Sequence, residues 1–112
     1  MSDSGVIYTA TDATKTTDRE HGMIRQVLAY NPHLMLVRHT FEKGWKGVRH
    51  SHSHHQMVYV VRGHNRFQAL GKSWEMRAGD SAVVEGGVEH EASAIEPPEV
   101  LDIFTPYRQE YA

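Results

Sequence analysis

The chain has 112 residues, 39% of them hydrophobic, with 12 Lys and Arg against 14 Asp and Glu and a formal charge of -2. That length supports one core and one domain, and that composition excludes general disorder. The charge balance leaves no footprint for nucleic acid, no apolar run approaches the ~20 residues of a membrane span, and the absence of Cys excludes disulfides and thiol nucleophiles.

Residues 1–20 are polar and Thr-rich apart from Val6, Ile7 and Tyr8, and are expected to form an arm that is flexible or docked on a partner subunit. Met1–Ala10 shows no basic n-region and no long apolar stretch, so no signal peptide is expected and the cytoplasm is the expected location. A single domain is expected over 21–112. From Met23 onward, short runs rich in Val, Ile, Phe and Tyr predict strands over Met23–Ala29, Leu34–Phe41, Arg49–His55, Met57–Arg62 and Asn65–Leu70. Further strands are predicted over Ser73–Met76, Ser81–Val84, His90–Ile95 and Val100–Phe104. Gly63, Gly71, Ala78-Gly79-Asp80, Gly86-Gly87 and Pro97-Pro98 read as breakers, because Gly supplies positive φ and Pro removes a ladder donor. No segment repeats apolar residues with the period of a helix. Short strands at this spacing point to an all-β antiparallel sandwich or barrel.

The nine His are the compositional anomaly, and four of them fall between His50 and His55. On a strand, His50, His52, His54 and Gln56 would share one face. The Cα atoms of His50 and His52 would stand roughly 6.5 Å apart, which suits two imidazoles converging on one ion. The residues alone therefore suggest a metal site built on His50 and His52 with a third ligand nearby, or a His-rich edge strand with no such role.

The wider spacing adds to this. Five residues separate Gly44 from His50-Ser51-His52; Gln56 follows after three residues and Gly63 after six more. Later, five residues separate Gly79 from Glu85-Gly86-Gly87, and His90 follows after two. This pattern resembles the paired motifs of the cupin superfamily, small antiparallel β-barrels of jelly-roll type with a metal in the lumen. The resemblance implies His50, His52, Gln56 and His90 as ligands of one divalent transition metal (Zn, Ni, Mn or Fe). Three neutral imidazoles and an amide oxygen would leave the ion's +2 charge uncompensated, a strong attractor for an anionic substrate. His54 and His55 fit no ligand position and are expected at the pocket mouth, while His21, His33, His39 and His64 are expected on the surface or in packing. Where the second cupin motif carries Pro and Asn, this chain has Glu85 and Ala94.

Near the C-terminus, alternation places Asp102 and Phe104 on one face of a strand and Leu101 and Ile103 on the other. With Asp102 and Phe104 in the lumen, Asp102 is a candidate general acid or base and Arg108 a fork for a carboxylate. The plain alternative is an Asp102–Arg108 ion pair with Phe104 as core. Together with Arg25-Gln26-Val27-Leu28-Ala29-Tyr30-Asn31 and Leu34-Met35-Leu36-Val37-Arg38, the ending Asp102, Phe104, Pro106, Arg108 resembles the KdgF-type pectin-degradation cupins. That resemblance implies ring opening of 4,5-unsaturated uronates, with Asp102, Phe104 and Arg108 as catalytic residues and a small acidic sugar as substrate. Family members carry Glu where this chain has His55, and Glu85, Glu89 and Glu91 add carboxylates near a site expected to receive an anion. A metal-dependent dioxygenase and a non-catalytic small-molecule-binding cupin are the alternatives. A homodimer is expected, with Val6–Tyr8 available as an exchanged strand.

Overall fold

The computed structural model describes residues 5–20 and 22–112. His21 lies outside them. A single 3-10 turn, Thr11–Ala13, precedes seven strands: β1 (Lys15–Glu20), β2 (Met23–Asn31), β3 (Leu34–Phe41), β4 (His55–Ala69), β5 (Lys72–Arg77), β6 (Ser81–Val84) and β7 (His90–Thr105). All neighbours pair antiparallel in the order β1-β2-β3-β7-β4-β5, with β6 also on β4. Among the described residues no helix is long and apolar enough to cross a membrane.

The architecture turns on the long β4–β7 ladder. The first half of β4, Gln56–Tyr59, lies between β6 and Leu101–Phe104 of β7. Its second half, His64–Ala69, lies between β5 and the first half of β7, where Ala69 is opposite His90. Between the halves the register slips, from Arg62 opposite Glu99 to His64 opposite Glu96. Pro97 and Pro98 fall in that gap, where their missing N–H groups cost no ladder bond. Gly63 faces them at φ 83°, and a Cβ there would lie 2.3 Å from the Pro97 carbonyl oxygen. Only glycine fits that crossing. At this bend the ladder doubles back, so Val58 and Val60 join Phe67 and Ala69 in one core cluster with Met76, Val84 and Val100. A second cluster, Val27, Met35, Val37 and Phe104, fills the space between β2, β3 and β7, with Tyr107 and Tyr111 packed against it.

Several sequence expectations change here. Lys15–Glu20, read as part of the arm, pairs with β2 as an edge strand. Of the predicted strand Arg49–His55, only His55 is in a strand, as the first residue of β4; residues 49–54 form a loop that touches the sheet through a bridge between His50 and His90. The runs Met57–Arg62 and Asn65–Leu70 are one strand, as are His90–Ile95 and Val100–Phe104, because Gly63 and the two prolines bend the ladder rather than end it.

Candidate metal centre and cavity

The histidine loop is fastened to the neighbouring segment through its backbone. His50 and His90 exchange N–H···O bonds of 3.0 and 2.8 Å, and the Gly87 N–H donates to the His52 carbonyl at 2.8 Å. Gly86 passes so close to the loop that a Cβ would lie 2.3 Å from the Ser53 carbonyl oxygen. These contacts bring one ligand nitrogen each from His50, His52 and His90 within 4.8 Å of one another. Each Nδ1 is taken up by a backbone carbonyl: Val48 for His50 at 2.8 Å, His54 for His52 at 3.0 Å and Val88 for His90 at 2.9 Å. With the proton held on Nδ1, the Nε2 lone pairs are left to converge.

Gln56 makes the case for a cation sharper. Its Nε2 donates to Asp102 Oδ1 at 2.8 Å, which turns its Oε1 toward His52 Nε2 at 3.0 Å. His52 holds its proton on the opposite nitrogen, so two lone pairs face each other across that gap. Protonating His52 would relieve the clash, but burial, and then the Arg108 charge, lower its pKa. Flipping the amide would set its oxygen against the Asp102 carboxylate instead. A cation between Nε2 and Oε1 reconciles all of these groups, and the donor set suits a divalent transition ion. Burial, followed by the His50 charge, lowers the His90 pKa as well, which keeps this imidazole in its ligand form.

The site opens on a cavity of about 240 Å³ whose lining includes His50, Gln56, His90, Asp102, Phe104 and Arg108. That is space for roughly eight waters at about 30 Å³ each, the scale of a single sugar ring rather than a chain of sugars. Asp102 is 4% exposed. Besides the bond from Gln56, its Oδ2 accepts from His39 Nδ1 at 2.7 Å. Arg25 Nε donates to His39 Nε2 at 3.0 Å, so that nitrogen carries the lone pair and Nδ1 the proton. Phe104 packs edge-on against His52 and Tyr111 at centroid distances of 5.9 and 5.8 Å. Tyr111 lies between two guanidinium groups, 3.8 Å from that of Arg25 and 4.2 Å from that of Arg108.

Residues 37–104, more than half the chain, match the cupin domain family. The chain belongs to the cupin family. This cupin is 28% identical to the pectin degradation protein KdgF of Dickeya dadantii over 93% of its own length and 96% of the relative's. It superposes on KdgF from a Halomonas species with a TM-score of 0.89 at 31% identity, covering 96% of this chain and 99% of the other. An RmlC-like cupin from Shewanella frigidimarina gives 0.88 at 33% identity, covering 94% and 95%. It is thus a KdgF-like cupin, and its all-β antiparallel fold agrees with the expectation from sequence.

All four residues matched to the cupin ligand positions come together in this cupin, and Asp102, Phe104 and Arg108 share their cavity. Among the described residues there is no Asp102–Arg108 ion pair: Arg108 Nε and Nη2 both donate to Glu110, at 2.9 and 2.7 Å. Asp102 and Phe104 do face inward, although Ile103, on the other face, points to the outside. His54 packs edge-on against His52 and Phe104, and among the described residues its buried Nδ1 has no hydrogen-bond partner. His55 is exposed and accepts the Gly86 N–H. Glu89 and Glu91 are both held by Arg49, outside the cavity lining. His33 is exposed and His64 pairs with Glu75. His39 is the residue sequence reasoning undervalued. At 7% exposure it is buried against Asp102, and the signal was present, because it follows Met35 and Val37 at a spacing of two on β3.

Proposed function

We propose that this cupin is a metal-dependent enzyme that opens the ring of 4,5-unsaturated uronates of the kind released from pectin or alginate. One observation carries the reading. Gln56 touches both His52, one of the three convergent histidines, and Asp102, so a candidate cation site and a candidate proton carrier meet in a cavity of sugar size. The similarity to KdgF proteins supports the same substrate class.

His50, His52, His90 and Gln56 would hold the ion, which when bound supplies Lewis acidity toward a sugar oxygen. Arg108 lines the cavity with a planar fork for the carboxylate, which would replace Glu110 as its partner. Phe104, 1% exposed, forms an apolar wall beside it. Asp102 takes the proton of the anomeric hydroxyl as the bond from that carbon to the ring oxygen breaks. It then delivers that proton to the far carbon of the resulting enolate's double bond, giving a linear keto aldehyde. Bonds and protons balance within the substrate, so no electron acceptor is needed.

The outward face of β4, β6 and β7 presents Met57, Tyr59, Val83 and Ile103 as exposed apolar side chains. We assign it to the interface of a homodimer. The enzymatic reading is tested by mixing the metal-loaded protein with unsaturated galacturonate. Absorbance of the conjugated C=C–carboxylate should disappear with no oxygen uptake. Iron-dependent oxygen consumption would replace this reading with a dioxygenase, and saturable binding without turnover would replace it with a binding protein.

A further inference from the structure

Asn65 stands on β4 two residues beyond Gly63, at the inside of the bend, and its side chain lines the cavity. It is 5% exposed, yet among the described residues its amide has no hydrogen-bond partner. Its companions on the inward face of β4 are Gln56, already engaged with His52 and Asp102, and the buried apolar residues Val58, Val60, Phe67 and Ala69. The amide faces the cavity, so its donors and acceptor are open to whatever fills that space, whereas a leucine at this position would line it with carbon alone. A core position that retains such a group is matched to something that enters the cavity.

We propose that the Asn65 amide binds the substrate, hydrogen-bonding a hydroxyl or the newly formed aldehyde oxygen of the sugar. An amide offers two donors and an acceptor, which answers both halves of a hydroxyl group. Being uncharged, it does not compete with Arg108 for the carboxylate. The two groups also occupy different stations along the fold. Asn65 is opposite Ala94, beside the bend, whereas Arg108 follows the far end of β7. A sugar held at both would lie along the cavity, with its ring oxygens between Asp102 and the histidines. The identity of the ligand rests on the uronate reading; the unsatisfied amide does not.

The test is Asn65→Leu, studied for metal content and for kcat and KM with unsaturated galacturonate by loss of absorbance. The variant should bind metal to the wild-type level, while kcat/KM falls about tenfold or more. Unchanged kcat/KM at equal metal content overturns the assignment. Asn65→Thr keeps one donor and one acceptor at smaller size, and its kcat/KM should lie between the other two. If Asn65→Leu fails to fold, a wild-type kcat/KM in Asn65→Thr together with reduced stability overturns the proposal. Failure of the wild type to consume the uronate defeats the enzymatic reading instead. The Asn65 assignment is then decided by protection against heating on adding unsaturated galacturonate: protection of the wild type that Asn65→Leu loses supports it, and equal protection, or none in either, overturns it.

Discussion

Replacing His39 with leucine removes one of the two protein groups that aim Asp102 while leaving every candidate metal ligand in place. His39 Nδ1 lies 2.7 Å from Oδ2, and Gln56 holds Oδ1 at 2.8 Å. Without His39 the carboxylate pivots on one remaining bond, and Arg25 also loses the acceptor at Nε2. A hydrogen bond to a charged group contributes roughly 1.5–3 kcal/mol, so at about tenfold per 1.4 kcal/mol the expected loss in kcat is about 10- to 150-fold. Because His39 touches Asp102 rather than the carboxylate-binding Arg108, KM should change by less than about threefold. Melting temperature should fall too, since a buried carboxylate that loses a donor costs about 1–3 kcal/mol. His39→Asn, which can offer an N–H close to the position of Nδ1, should recover part of kcat. The assay is the decay of the unsaturated-uronate absorbance, with metal content measured in the same preparations. Turnover within twofold of wild type in His39→Leu, at equal metal content, would show that Asp102 keeps its aim without His39 and would refute the reasoning.

Three further outcomes are expected. His90→Ala removes one of the three convergent imidazoles and should leave the purified protein with less than about a tenth of the wild-type metal by elemental analysis; full occupancy would remove His90 from the site. In the metal-free protein, His52 and His90 have pKa values below the ordinary 6.5, so the unfolded chain takes up protons first as the pH falls. Stability should therefore be fully retained above about pH 6.5 and decline below it, until both residues are protonated in the folded state as well. Thermal melts across that range read this directly, and a flat profile contradicts it. Met57→Lys places a charge on the exposed apolar face of β4 and should shift the protein from dimer to monomer in analytical ultracentrifugation, whereas an unchanged dimer would locate the interface elsewhere.

Local pattern carried much of the fold. Leu34–Phe41 and Ser81–Val84 emerge with the boundaries that their alternation and flanking turn residues imply. Two kinds of information were not local. Gly63 and Pro97-Pro98 each look like a strand end, and only their juxtaposition across the ladder turns them into a bend. The His/Ser alternation from His50 to His54 imitates a strand face, but its convergence comes from backbone bonds to His90 and Gly87, distant in sequence. β1 lacked any apolar alternation, as an edge strand can, so composition alone read it as an arm. In the site, spacing brought out His50, His52, Gln56 and His90 because the motif residues carry their own signature. His39 and Asn65 stayed hidden inside ordinary alternating strands, where an inward polar residue is noticed only once its neighbours are seen.

The central place of β7 bears on how the protein is made. It pairs with β3 on one side and β4 on the other, and it carries His90, Asp102 and Phe104. During synthesis, a nascent chain that has not yet released Val100–Thr105 from the ribosome leaves two strand edges open and the second core cluster without Phe104. Such a chain is exposed to edge-to-edge association until β7 has emerged. Closure of the barrel and assembly of the site are then one event, which ties the acquisition of function to the docking of β7.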